Sequence, residues 1–278
     1  KYSVVNFGNK NKKNFFYIIK VDSGGGIFSN FLFVLNHLQI AEKFNFIPLI
    51  DMENFYTTYN QRNLINKTYN SWLYYFKQVS NYTLQEAYKS KNVILTHNFF
   101  SENMPKDYAS NKDLKRIFKK YIRIHPQFLK NAEKFAKKNF KNNKVLGVHF
   151  RGGEMRTVPN HPLPPPPEQM IYVVDRLLKI KKFNKIFLVT HSLKYFNLFK
   201  KRYGKLVCYR NTFRSNERKL FESKLRKNHR YEMGRDALEE MLILSKLNYL
   251  VCSRSGLSQL AVMTSKRKMN VCELLNGT

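Results

Sequence analysis

The residues of this chain that could do chemistry gather where apolar runs end. In "VLGVHFRGGE" an arginine, Arg151, stands between an aromatic residue and the pair Gly152 and Gly153, directly after a short β-branched segment. A guanidinium at the carboxyl end of a buried strand presents a planar fork of N–H donors that fits a phosphate. The glycines beside it let an anion approach the backbone. The plainer alternative is a structural ion pair between Arg151 and a helix carboxylate. His149, two residues back on the same strand face, reads equally well as a ligand contact or as a satisfied core histidine. A second group, Gly24, Gly25 and Gly26, follows "FFYIIKV", so that five of the 11 glycines lie in two loops after expected strands. These are not Walker loops, because no Lys-Ser/Thr follows, and the dinucleotide GxGxxG spacing is missing; a tight turn with no ligand is the competing reading of "GGG". In "YLVCSRSGLSQLA", Ser255 and Gly256 open a helix after a strand, and the N–H groups of such an end suit phosphate, although an ordinary capped helix has the same sequence. Three anion-friendly strand ends in one chain point to a phosphorylated ligand.

The elements that must position these residues follow from periodicity. "FFYIIKV" (Phe15–Val21) is expected as a buried strand, 28–44 as a helix with apolar residues at helical spacing, and "FIPLI" as a strand that Pro48 either weakens or puts on a sheet edge. That opening is a βαβ unit with its first loop at the carboxyl end of a strand. After an irregular aromatic stretch with one strand at Asn92–Thr96, helices are expected at 111–121 and 126–140. The second half alternates regularly: strand 144–150, helix 168–180, strand 185–190, helix 193–203, strand 206–209, a basic and mobile segment, helix 231–247, strand 249–253 and a helix from Gly256. Such alternation predicts an α/β fold with parallel sheets covered on both faces. The polar "KKNFKNNK" predicts a junction, giving domains 1–140 and 141–278. "PPPP" at Pro164 to Pro167 is expected to stiffen the entry to a helix.

The composition sets the outer bounds. The 278 residues carry 50 Lys and Arg against 19 Asp and Glu, a formal charge of +31, and 43% are hydrophobic, enough for a substantial core. The charge favours acidic partners, namely nucleic acid, an anionic membrane or a phosphorylated ligand. Lysine spread along the whole chain with Asn, Ile, Phe and Tyr is also what an AT-rich coding sequence produces, so only basic residues within motifs count. The three cysteines are too few and too scattered for a zinc cluster or a disulfide framework and suggest core thiols in a reducing compartment. No apolar run is long enough to cross a membrane and no leader is apparent; the sequence leaves room for an anchor upstream of Lys1.

"GVHFRGGE", the "HP" of His161 and Pro162, "KIFLVTHSLKYFNLFKKRYGKLV" and "GRDALEEMLILSKLNYLVCSRSGLSQLA" together resemble, in order, the three motifs of the GDP-fucose-dependent fucosyltransferases, closest to the α-1,6-fucosyltransferase group that includes the rhizobial nodulation enzyme. The resemblance covers about 144–263; the first half matches only through its glycine loop and helix. It implies a GT-B-like fold, two Rossmann-type domains facing across a cleft, with the nucleotide held mainly by the C-terminal one. It places Arg151 on the donor's β-phosphate, His149 near the base, Glu240 on the guanine N1 and N2 donors, and Ser255 and Gly256 in the phosphate-binding region. A carboxylate suits guanine because it accepts two parallel hydrogen bonds. The chain departs from the family where Gly152 replaces a second basic residue, which shifts phosphate neutralisation toward other cations such as Arg254. It departs again at Thr190-His191, where relatives read Thr-Asp, and in the loop 155–161.

The implied reaction is an inverting, metal-independent transfer of L-fucose from GDP-fucose, a co-substrate rather than a cofactor, to a hydroxyl of a glycan or lipid-linked glycan. Candidate general bases are Glu154, His161 and Asp22, in that order. Glu154 reads as well as a loop-stabilising carboxylate. The expected location is cytoplasmic, with peripheral contact at the inner face of an anionic membrane. Rival readings are a same-fold transferase for another nucleotide sugar, a catalytically dead binding domain of the same fold, and a basic nucleic-acid-binding protein. The last would interleave aromatics with Lys/Arg on an exposed face, whereas the aromatics here sit in core-like runs.

Overall fold

The computed structural model describes residues 3–21, 25–96, 108–151, 164–217, 220–223 and 226–274. The chain divides into two compact units, 1–126 with 226–234, and 127–225 with 235–278.

In the first unit, strands β1 (Val4–Val5), β2 (Lys10–Lys20), β3 (Ile47–Asp51) and β4 (Ser90–Leu95) form a sheet in the order β1-β4-β2-β3. β2 runs parallel to both β3 and β4, and β1 pairs antiparallel to β4. The βαβ opening is present as β2, helix α1 (Ile27–Lys43) and β3. Pro48, which has no N–H to donate, lies in the edge strand β3, as its chemistry requires. β2 begins five residues earlier than the apolar run, because its polar start "KNKKN" pairs with β4 through a register shift between Lys10 and Phe15. The irregular aromatic stretch holds a 3₁₀ turn, Ser71–Tyr74, and a short helix α2, Leu84–Ala87, before helix α3, Lys112–Tyr121. Trp72, Phe76 and Phe118 pack around the Phe31 ring at centroid distances of 5.7, 5.2 and 5.9 Å, which explains the density of rings there.

The second unit starts with helix α4 (Pro126–Phe140), whose first residue counts with the first unit. Its five strands are β5 (Val145–His149), β6 (Lys185–Val189), β7 (Val207–Cys208), β8 (Tyr249–Ser253) and β9 (Asn270–Leu274). They form an all-parallel sheet in the order β7-β6-β5-β8-β9. Helices α5 (Pro167–Lys181) and α6 (Leu193–Tyr203) bury Met170, Val174, Tyr195 and Phe199 with Leu146, Val148, Ile186 and Leu188 of the sheet. On the opposite face Phe135 and Phe140 of α4 pack on Phe187. Helix α7 (His229–Leu244) covers that face as well: a Cβ on Gly147 would stand 3.0 Å from Leu244 and from Leu247. Helix α8 (Gly256–Thr264) joins β8 to β9. The strand β9 was not expected from "NVCEL", because charge and partial exposure there break the apolar run. The basic segment before α7 contains a 3₁₀ turn at Leu220–Glu222, and α7 starts two residues earlier than its periodicity suggests.

The opening of α7 belongs to the first unit. The Tyr75 hydroxyl donates to the Tyr231 carbonyl at 2.9 Å, and the two rings stack at 5.7 Å. One turn on, a Cβ at Gly234 would lie 2.2 Å from the Tyr75 hydroxyl. Alanine is favoured over glycine inside a helix by about 1 kcal/mol. The fully buried and hydrogen-bonded Tyr75 cannot yield, so overpacking of about 1–3 kcal/mol dominates. Gly234→Ala is therefore expected to lower the denaturant midpoint, and Tyr75→Phe in the same chain to recover part of the loss. A stabilised Gly234→Ala variant would show that the contact is not tight.

Candidate functional site

The strand order of the second unit dictates where a ligand can sit. Counted within the unit it is 3-2-1-4-5, so the connections leaving β5 and β8, which are neighbours, turn to opposite faces. At such a switch point a crevice opens at the carboxyl ends of the strands. β5 ends in His149 and is followed by Phe150 and Arg151, while β8 is followed by Ser255 and Gly256. The sequence-predicted residues of both motifs thus meet at one place.

Local packing fixes them there. Phe150 extends the pairing of β5 by donating its N–H to the Val189 carbonyl at 2.9 Å, and its ring stacks on Tyr195 at 4.0 Å. With that ring anchored, Arg151 leaves the sheet at the strand end, partly exposed. His149 is buried, and its Nδ1 lies 3.3 Å from the Ser255 hydroxyl. Ser255 caps α8 in a reciprocal box: its hydroxyl accepts from the Ser258 N–H at 3.1 Å, and the Ser258 hydroxyl accepts from the Ser255 N–H at 3.1 Å. No described group accepts from the N–H of Gly256 or Leu257. These two donors, at the positive end of the helix, stand next to the strand that carries Arg151.

Burial sets the ionisation of this site. The His149 imidazole is pushed down to about 3, first by burial, then by the positive charge of Arg151 and by His191, so it is neutral at physiological pH. A neutral imidazole leaves Arg151 as the cation on its strand end.

A second cluster lies beyond the end of β7. Arg210 pairs with the buried Glu239 and stands 3.6 Å from Asp236, while Asn131 donates to Glu239 at 2.7 Å. Those two carboxylates of α7 are therefore occupied. Glu240, beside Glu239 on the same helix, is buried and accepts only from the Thr212 hydroxyl, at 3.3 Å, among the hydrogen bonds of the described residues. Burial raises it to about 7, and the nearby Arg214 and Arg210 pull only partly against that. Arg214 packs over Phe196 at 4.3 Å and Tyr209 at 5.4 Å and donates to the Arg210 carbonyl at 2.9 Å. Of this cluster the sequence reading found Glu240 alone. The signal for the rest was acidic residues at 236, 239 and 240, a buried helical face, opposite "RNTFR" after a strand.

Other expected residues are placed differently. Arg254 is half exposed, and its Nε donates to Glu273 at 2.8 Å, so part of its fork is engaged. Gly26 precedes α1 without a side-chain cap, and the Ile27 N–H donates to the Tyr59 hydroxyl at 2.8 Å. One donor of that helix end is thereby satisfied internally. Gly25 is described and partly exposed. Asp22, Gly24, Gly152, Glu154 and His161 lie outside the described residues. A small apolar cavity behind α1, lined by Ile27, Phe31, Met52 and Trp72 among others, contains none of the expected donor-binding residues. Among the described residues no cluster of three His, Cys, Asp or Glu side chains could hold a metal ion. The thiols are unpaired, and burial pushes Cys208 up to about 11 and Cys252 up to about 12, which suits packing rather than nucleophilic work.

The fold of the chain is similar to that of known proteins. The structure superposes on NodZ α-1,6-fucosyltransferase co-crystallised with GDP with a TM-score of 0.61 and 12% identity, over 89% of this chain and 92% of that one. The fold is that of fucosyltransferases. Fucosyltransferase NodZ from Bradyrhizobium gives a TM-score of 0.59 at 13% identity over 89% and 93% of the two chains. POFUT1 in complex with GDP gives 0.52 at 11% identity over 96% of this chain and 100% of that one. No protein-family model matches the sequence, and no curated protein does.

The ionisation of His149 has a measurable consequence. Its folded value, about 3, is depressed below the ordinary 6.5, so the unfolded chain binds the extra proton first as pH falls. The stability it contributes is complete above pH 6.5 and is lost progressively down to about 3, with a slope near 1.4 kcal/mol per pH unit. Denaturant titrations between pH 7 and 4 should show that slope reduced by nearly one proton in His149→Gln. An unchanged slope would place the imidazole in water.

Proposed function

We propose that this chain is a glycosyltransferase that moves fucose from GDP-fucose to a hydroxyl of a glycan acceptor. The observation that carries the reading is the placing, at the switch point of the β7-β6-β5-β8-β9 sheet, of Arg151 at the end of β5 next to β8, which leads into an α8 amino end with two N–H groups that no described group accepts from. The likeness to the folds of NodZ co-crystallised with GDP and POFUT1 in complex with GDP-fucose supports the choice of donor.

In this reading the diphosphate lies between the Arg151 guanidinium and the amino end of α8. His149 and Ser255 hold the strand end and the helix end together from below. Glu240 takes the guanine edge: its carboxylate accepts from N1–H and the N2 amino group, a geometry that the other two acids of the face, tied to Arg210, do not offer. In this reading the second unit holds the donor and the first unit supplies the acceptor side.

The chemistry is displacement at the anomeric carbon. The acceptor oxygen attacks as the bond to the β-phosphate oxygen breaks, and GDP leaves with the electron pair. A single displacement inverts the anomeric centre. Charge that develops on the departing diphosphate meets a fixed guanidinium and helix N–H donors, a preorganised field that accounts for departure without a metal. The proton of the attacking hydroxyl passes to a carboxylate or imidazole, for which Glu154, His161 and Asp22 are the candidates.

Two results would test the reading together. Arg151→Ala should reduce kcat for transfer from GDP-fucose by about 10²–10³, the cost of removing one preorganised donor. GDP affinity of the parent protein should rise as pH increases toward about 7 and then level, because the raised carboxyl of Glu240 must lose its proton to accept from guanine. Calorimetry in buffers of different ionisation enthalpy should detect the proton released, and Glu240→Gln should abolish the release. UDP binding more tightly than GDP, or a pH-independent affinity, would contradict the donor assignment.

A further inference from the structure

The five helix-to-strand connections of the second unit, at 137–144, 179–185, 200–206, 245–248 and 265–269, all lie at the amino edge of its parallel sheet, opposite the candidate site. They hold sixteen Lys and Arg residues and no Asp or Glu. Cations near helix C-termini are favoured by the helix dipole, which explains one or two per helix. It does not explain "KKNFKNNK", "KIKKFNK", "KKRYGKL" and "SKRK" converging on one edge. Among the described residues counter-charges reach a few of them: Arg202 pairs with Asp175, and Lys246 and Lys137 with Glu133. Lys141, Lys179, Lys201 and Lys205 are exposed with no ion pair among the described residues. Two aliphatic side chains stand out at the same edge, Ile180 at 59% and Leu206 at 38% exposure, while its rings are turned inward, Phe183 and Tyr203 being buried.

We infer that this edge is a docking surface for an anionic lipid bilayer. A broad set of exposed lysines with no ion pair among the described residues fits a diffuse field of lipid head groups, each worth roughly a fivefold gain in partition near the surface. Exposed aliphatics can enter the interfacial layer. Binding to single-stranded nucleic acid would call for exposed aromatics interleaved with the cations, and this edge presents none among its described residues. Docked through this edge, the protein holds the carboxyl ends of the strands, with Arg151 and α8, away from the lipid.

The test is co-sedimentation of the full chain with vesicles of phosphatidylcholine alone or mixed with phosphatidylserine, at physiological salt. Binding is expected only to the mixed vesicles, weakening as salt rises. It should fall at least about tenfold in Lys141→Glu/Lys179→Glu/Lys205→Glu and measurably in Ile180→Asn. A variant with the same charge change in the first unit, Lys12→Glu/Lys13→Glu/Lys112→Glu, should bind nearly as the parent does. Circular dichroism checks that each variant is folded. Equal loss in both triple variants would reduce the effect to bulk charge and overturn the proposal. So would absence of binding, equal binding to neutral vesicles, or tighter retention by RNA or duplex DNA at the same salt.

Discussion

Two neighbouring parallel strands, β5 and β8, send their connections to opposite faces of the sheet, and the candidate site depends on that divergence. It sets the end of β5, with Arg151, next to the strand that leads into the amino end of α8. The hydrogen bond between His149 and Ser255 joins the two sides within the protein. In the proposed reading a ligand there meets the Arg151 guanidinium and the helix dipole of α8, groups held by the packed core of the second unit.

Burial then separates the acids of α7 into two roles. Asp236 and Glu239 are both within reach of the Arg210 guanidinium, and Asn131 gives Glu239 a further donor. Glu240 lies buried on the same helix, but among the described residues Thr212 is its hydrogen-bond donor, and burial raises its carboxyl to about 7. A buried carboxyl with spare acceptor capacity is costly unless a ligand brings donors. A guanine edge would bring two.

Much of this was legible in the residues. Short apolar runs rich in Val, Leu, Ile and aromatic residues marked β5, β6 and β8, since strands buried on both faces have little other choice, and the glycine and serine punctuation marked the carboxyl ends of β5 and β8. Edge elements were less legible. β1 has two residues, and β9 is partly exposed and carries Glu273, so neither has a strong pattern. The helix 126–140 sits before a polar segment that reads as a junction, yet its Phe135 and Phe140 contact Phe187 in the second unit's sheet. Long-range pairing also stayed hidden: Arg210 finds Glu239, and Arg254 finds Glu273, through the fold rather than through spacing.

The central claim is that a nucleoside diphosphate binds at this switch point, and a crystal structure of the protein with GDP tests it most directly. The account predicts diphosphate oxygens within about 3 Å of the Arg151 guanidinium and of the Gly256 and Leu257 N–H groups, with the guanine edge on Glu240. Diphosphate bound elsewhere, such as at the amino end of α1, or guanine remote from α7, would contradict it.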